Sequence, residues 1–367
     1  MLKLLILIIA LSFIYYLFNY ILTEKTKIKK YKFVSGEEKG NYDTFTNKLI
    51  DEMPIKNINT NGSKSNLIRV HNYRSDFGLA QEDLFFDSVQ SLNAFRRSKP
   101  FNNLRFISAC YFEKAHFIVN SLEIGVNSFP DLKNVDNFIV GVGEKNSGSH
   151  FNFTLMCLLN GINPKDFNSL DTNAKIKYKT GNLNLLMNDY KNGLINGLYL
   201  MTGNNNIYIK NLVKLTKSKF INLYDNNSPL LKTVFKNYFY KKFINLGDYY
   251  DEITEAENIP TISTRSILFT HDKTPNDLVY ELTKKIYSNH IDINCCKKLD
   301  YEPIDLAYCR EEYKIHPGAH KYLMEVNLIS NQEKWKYNLE WYHDNVLKNY
   351  WKYPRIGDKK FNFSSII

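Results

Sequence analysis

The run Phe138-Ile139-Val140-Gly141-Val142 breaks into Gly143-Glu144-Lys145-Asn146-Ser147-Gly148-Ser149-His150, and an apolar-periodic stretch follows through Phe153, Met156, Cys157 and Leu159. A short β-branched run, a turn of small polar residues and then helical spacing reads as strand, turn, helix. The same alternation fills the chain. Strands are expected at residues 32–34, 67–70, 77–80, 104–108, 115–119, 198–201, 220–223 and 261–270. Helices are expected around Phe45 and Leu49 and at 84–95, 184–192, 206–214 and 277–287. Strands alternating with helices imply an α/β fold, with parallel sheets covered by helices on both faces. In such sheets ligands sit beyond the carboxyl ends of the strands, which singles out the turns after Val34, Ala80, Val142 and Met201. The turn after Val142 is the most informative, because a helix start carrying Ser147, Gly148 and Ser149 would leave backbone N–H groups and hydroxyls facing outward for an anion.

At 367 residues with 44% apolar content the chain can bury two cores of ordinary size. Its net charge of +10 is spread along the sequence, as a lysine-rich bias spreads it, and there is no massed basic patch to suggest nucleic acid. Residues 4–22 are almost unbroken apolar sequence, with Lys3 before and Lys25, Lys27, Lys29 and Lys30 after. That length suffices to cross a bilayer, and no small-x-small cleavage site follows, so residues 1–30 are expected to form an uncleaved N-terminal transmembrane signal-anchor. Taken alone, the lysine cluster after it favours a cytoplasmic main domain. Cys110 and Cys157 lie in apolar runs and are expected as free buried thiols. Cys295 or Cys296 is placed to pair with Cys309 across a short loop, and no cysteine–histidine spacing suits zinc.

No catalytic constellation stands out. There is no G-x-S-x-G elbow and no H-E-x-x-H. The spacing Gly143-x-x-x-x-Gly148 invites a phosphate-loop reading, but Ser149 and His150 stand where lysine and a hydroxyl residue are needed. His150 beside Ser147 and Ser149 suggests a nucleophile–base pair only on paper, since neighbours at a helix start point in different directions.

Four ordered segments resemble a known family. They are Val34-Ser35-Gly36 through Gly40-Asn41-Tyr42; Ser75-Asp76-Phe77-Gly78-Leu79-Ala80-Gln81-Glu82-Asp83; and Tyr111-Phe112-Glu113-Lys114-Ala115-His116 with Asp131-Leu132-Lys133 and the Gly143 to Ser149 turn. The fourth comprises Pro260 to Ser266, Leu278-Val279-Tyr280-Glu281-Leu282-Thr283 and His316-Pro317-Gly318-Ala319. Together they resemble the TAXI family, the extracytoplasmic solute-binding proteins of tripartite ATP-independent periplasmic (TRAP) transporters. Departures fall at the turns: Glu37, Glu38 and Lys39 where small residues and proline are usual, Phe112 for proline, Lys145-Asn146 for proline and glycine, and Ser149 for threonine. Two added carboxylates near a cleft would repel a dianion unless they point away.

The resemblance implies a two-lobed periplasmic-binding-protein-like (type II) α/β fold with a hinge, preceded by the N-terminal transmembrane helix. Lobe 1 would comprise residues 31–115 plus 264–330 and lobe 2 residues 116–263, with 331–367 an aromatic-rich C-terminal extension. It implies a non-enzymatic receptor without a cofactor that captures a small anionic or zwitterionic solute (a dicarboxylate, keto acid or acidic amino acid) and delivers it to TRAP-type permease subunits in the membrane. Ser35, Gly36, Asn41, Tyr42 and Gln81 would hold one end of the solute. Ser147, Gly148, Ser149 and Thr202 would take its carboxylate from the other lobe. Tyr111 and Glu113 lie near the crossover, where Glu113 would suit an amino group; His116, inside an apolar run, reads as a core histidine. The rivals are a membrane-anchored sensory domain and a hydrolase using Ser147 or Ser149.

Overall fold

The computed structural model describes residues 11–16, 30–121, 125–169, 174–223, 239–251, 257–288, 310 and 312–329. Two long strands organise it. Strand β4 (Leu104–Asn120) runs for 17 residues and is buried almost throughout, and β11 (Asn258–His271) runs antiparallel to it. On one side of this pair, β3 (Phe77–Gln81) joins β11 antiparallel, and β1 (Tyr31–Val34) and β2 (Ile55–Ile58) extend the sheet in parallel. On the other side, β8 (Gly197–Thr202) joins β4 antiparallel. Beyond it β5 (Phe138–Gly141), β7 (Ile176–Lys179) and β6 (Lys165–Asp166) continue in parallel. Short β9 (Ser218–Phe220) pairs with β4, and β10 (Tyr240–Asn245) with the start of β11. The order β2-β1-β3-β11-β4-β8-β5-β7-β6 is a mixed sheet, not the all-parallel arrangement expected from alternation.

The reason lies in β4 and β11. Two separate strands were expected, at 104–108 and 115–119, near a crossover. Instead one strand continues through Glu113 and Lys114, because β11 pairs with Arg105 to Lys114 and β8 takes over from Lys114 to Val119. The segment 67–70 is corrected as well. It lies in helix α2 (Ser63–His71), whose buried residues Ser63, Asn66, Leu67 and Val70 recur at three- and four-residue steps. The strands missed, β2, β6, β7 and β10, each carry one or two lysines and lie at or next to margins of the sheet, where apolar runs are not required.

Helices α1 (Asn41–Leu49), α3 (Glu82–Gln90), α4 (Gly148–Leu159), α5 (Leu183–Lys191), α6 (Ile207–Leu215), α7 (Asn276–Ser288) and α8 (Pro317–Glu325) complete the described elements with α2. The largest apolar cluster runs from Phe85, Phe86 and Phe269 through Phe106 and Phe117 to Phe129, Phe138 and Phe153. A second cluster under α1 and α7 includes Phe33, Phe45, Phe77 and Val279; a third, under α5 and α6, includes Leu186, Leu198 and Leu212. Cys110 and Cys157 are free and buried. Residues 11–16 are helical, and among the described residues no helix is long and apolar enough to cross a membrane. The rest of the expected anchor, Cys295, Cys296 and Cys309, and the 331–367 extension lie outside the described residues.

One ion pair is buried where α3 meets β11. Arg265 Nε and Nη2 donate to Glu82 Oε2 and Oε1 at 2.8 and 2.6 Å, with the two side chains 2% and 3% exposed. Burial alone would raise the Glu82 carboxyl. The Arg265 charge and hydrogen bonds outweigh that and hold it below the usual carboxylate range.

Candidate functional site

The loops after β1, β3, β5 and β8 face one another and enclose a cavity of about 170 Å³. They also touch. Asn41 Nδ2, at the start of α1, donates to Thr202 Oγ1 at 2.6 Å, and Leu183 N donates to Glu37 Oε1 at 3.3 Å. A Cβ placed on Gly62, whose φ of +102° suits glycine, would lie 3.7 Å from Ser147 Cα. Ten of the eleven candidate residues line the space: Gly36, Asn41, Tyr42, Gln81, Tyr111, Glu113, Ser147, Gly148, Ser149 and Thr202. Ser35 does not; it is fully buried, and its carbonyl is taken by Thr60 Oγ1 and Asn66 Nδ2. Sequence reading missed Gly62 and Ser63, which start the helix mistaken for a strand, and Glu144, Leu183, Leu200, Asn206 and Tyr208.

The turn before α4 is built for close approach. Gly143 has φ +76° and Asn146 φ +71°, so the Lys145-Asn146 departure still supplies a left-handed residue, asparagine standing in for glycine. The serine hydroxyls differ from expectation, which had one or two of them facing outward. Ser147 Oγ instead caps the helix by accepting from His150 N at 3.3 Å, and Ser149 Oγ accepts from Met201 N at 2.9 Å. Ser149 thereby ties α4 to β8. What the turn offers the cavity is backbone: the Gly148 and Ser149 N–H groups, which have no intrahelical acceptor, at the positive end of a 12-residue helix. Gly148 is also in tight contact with the opposite loop, since a Cβ there would fall 2.2 Å from the Gln81 side-chain amide. His150 does not act on a serine hydroxyl: its Nδ1 accepts from Asn146 N at 3.3 Å, and its ring packs against Tyr178.

On the far wall Gln81 Nε2 donates to Glu113 Oε2 at 2.8 Å. Glu113 Oε1, Gln81 Oε1 and the Tyr42 hydroxyl are buried without a hydrogen bond of normal geometry, although Tyr42 lies close enough to Glu113, Ser63 and Ser266 to interact with each. Burial pushes Glu113 up to about 7, against hydrogen bonding from Tyr42 and Gln81, and the nearby Asp83 charge raises it further. Asp83 is itself pushed up to about 7, chiefly by burial. Tyr42 and Cys110, which face Glu113, are held neutral by burial and by its charge. Of the added carboxylates, Glu37 lines the cavity and is raised by burial, whereas Glu38 is exposed and points away. His116 is a core histidine: Nε2 meets the Tyr249 hydroxyl at 2.6 Å, and burial lowers it to about 3. Among the described residues no cluster suits a metal ion.

A pH dependence follows from the two raised carboxyls. Between about pH 4 and pH 7 the folded chain keeps protons on Glu113 and Asp83 that the unfolded chain releases, so stability falls as pH rises through that window. The buried histidines His116 and His150, lowered to about 3 and about 4, act in the opposite sense up to about pH 6.5, so the carboxyl contribution is read by difference: the stability of Glu113→Gln relative to the parent is expected to rise from pH 5 to pH 8. Calorimetric scans at matched ionic strength check this; an unchanged slope in the variant would contradict it.

Comparison with solved structures finds similarity to the periplasmic binding protein BugD, at 14% identity over 71% of this chain and 82% of that one, with a TM-score of 0.46. MatC from Rhodopseudomonas palustris with bound malate is similar at 12% identity over 72% and 85%, with a TM-score of 0.48. A structure described as a periplasmic transporter gives 12% identity over 81% and 91%, with a TM-score of 0.45. A family model described as NMT1-like matches residues 42–326, from α1 and its cavity residues to the end of α8. Because that match spans most of the chain, including every described strand but β1, the chain belongs to the NMT1-like family.

Proposed function

We propose that this chain is an extracytoplasmic solute-binding receptor. It captures a small carboxylate between two lobes and passes it to membrane permease subunits of the TRAP type. The lobes are residues 31–115 plus 264–330 and residues 116–263, and the stretches of β4 and β11 that run between them act as the hinge. One observation carries the reading: loops from both groups of strands enclose a single small cavity, with a helix N-terminus on one wall and buried polar atoms without hydrogen bonds of normal geometry on the other. Family membership and the resemblance of the four ordered segments to TAXI proteins support it. The apolar stretch at 4–22 tethers the receptor to the membrane in this reading.

Mechanistically, a carboxylate is held by the Gly148 and Ser149 N–H groups, while Tyr42, Gln81 and Glu113 engage the rest of the solute. Because these groups come from opposite loops, the solute favours the closed arrangement by bonds that exist only there. A thermal-shift screen across solute classes tests the proposal. One class at a hundred times its dissociation constant should stabilise the chain by about 2.7 kcal/mol and remain chemically unchanged. Stabilisation by none, or turnover of a bound ester or amide, would contradict it.

A further inference from the structure

Resting on that receptor reading, we propose that the cavity selects a neutral α-amino acid, seating its ammonium on Glu113 and its carboxylate on the start of α4, and that it turns away dicarboxylates, keto acids and acidic amino acids. The charges of the lining give the first argument. Glu37, Glu113 and Glu144 line the cavity, and no lysine, arginine or histidine does so among the described residues. The positive potential available there is that of one helix N-terminus, which suits a single carboxylate. A second carboxylate on the guest would lie against a wall that already holds acidic groups.

The acceptor atoms of the wall give the second. Glu113 and Gln81 are 4% and 3% exposed, and each leaves one acceptor oxygen without a hydrogen bond of normal geometry beside the cavity, with the Tyr42 phenol next to Glu113. Two acceptors and a phenol complement the three N–H donors of an ammonium; a carboxylate or keto oxygen would add a further acceptor to them. Spacing supplies the third argument. Gly148 lies against the Gln81 amide, so the anion-binding N–H groups and the acceptor wall are immediate neighbours. Two such subsites fit an ammonium and a carboxylate carried on one carbon. Leu200, Met201 and Tyr208 are left for the side chain.

The test is titration calorimetry on the purified full chain at pH 8 with matched pairs: alanine against pyruvate, leucine against 4-methyl-2-oxopentanoate, and glutamate against 2-oxoglutarate, with succinate added. At least one neutral amino acid should bind a hundredfold tighter than its keto acid, and tighter than glutamate or succinate. Glu113→Gln should weaken the amino acid at least thirtyfold and shrink its advantage over the keto acid by at least that factor, its melting curve confirming a folded chain. Binding of a keto acid or succinate as tight as that of any amino acid overturns the inference and keeps the receptor reading. An unchanged preference in Glu113→Gln also overturns the inference alone. If neither class binds, both fall. The wild-type ratio stands as a test even if the variant does not fold.

Discussion

Replacing Arg265 by alanine is expected to cost about 3–5 kcal/mol of stability, because it strands the Glu82 carboxylate in the interior. The pair is held by two hydrogen bonds, with neither partner more than 3% exposed. Its position explains why the loss would be global. Glu82 opens α3 directly after the cavity residue Gln81, and Arg265 sits on β11, the strand that links β3 to β4. Double replacement, Glu82→Gln with Arg265→Met, should recover part of the loss, since the stranded carboxylate goes with its partner while Arg310, whose charge also acts on Glu82, stays. Denaturant unfolding with unchanged m-values measures both. A single variant within 1 kcal/mol of the parent would show that water or another group reaches Glu82, and the stabilising role given to this pair would be wrong.

Gly148→Val is the second large effect, and it falls on binding. A Cβ at this position lies 2.2 Å from the Gln81 amide carbon and oxygen, closer than real contacts allow. Either Gln81 swings away, breaking its hydrogen bond to Glu113, or the loops stay apart. Each outcome separates the helix N-terminus from the acceptor wall, so solute affinity should drop more than a hundredfold. The fold should survive, because the clash lies between opposing loops and the core packing of Phe153 and Met156 is untouched. Calorimetry and circular dichroism on the same sample separate the two effects. Parent-like affinity would mean that the solute does not lie between Gly148 and Gln81.

The strand–turn–helix unit at 138–159 was legible because each part announces itself: β-branched residues, then small polar ones, then apolar spacing. Asn41, Tyr42, Gln81 and Thr202 were equally visible as residues at strand ends. Two kinds of information were hidden. Single-sequence pattern gives pairing partners poorly, so β4 was read as two strands that left out 109–114, although the polar pair Glu113-Lys114 is where the strand passes from β11 to β8. Hydroxyl direction is not encoded in a motif either. The Ser149 hydroxyl looked free for a ligand, and it instead accepts from Met201 N and holds β8, while the residue still lines the cavity. The acidic lining was half legible: Glu37 was noticed as a departure, but only the folded loops bring it to the same cavity as Glu144 and Glu113.

The central claim is that backbone N–H groups from one set of loops and buried acceptors from the other grip a single small guest. A crystal structure of the chain with the solute that the titrations select tests this most directly. The guest's carboxylate should lie within hydrogen-bond distance of Gly148 N and Ser149 N, with its other polar group against Glu113 and Gln81. A solute found elsewhere on the surface, with the cavity holding only water, would contradict it.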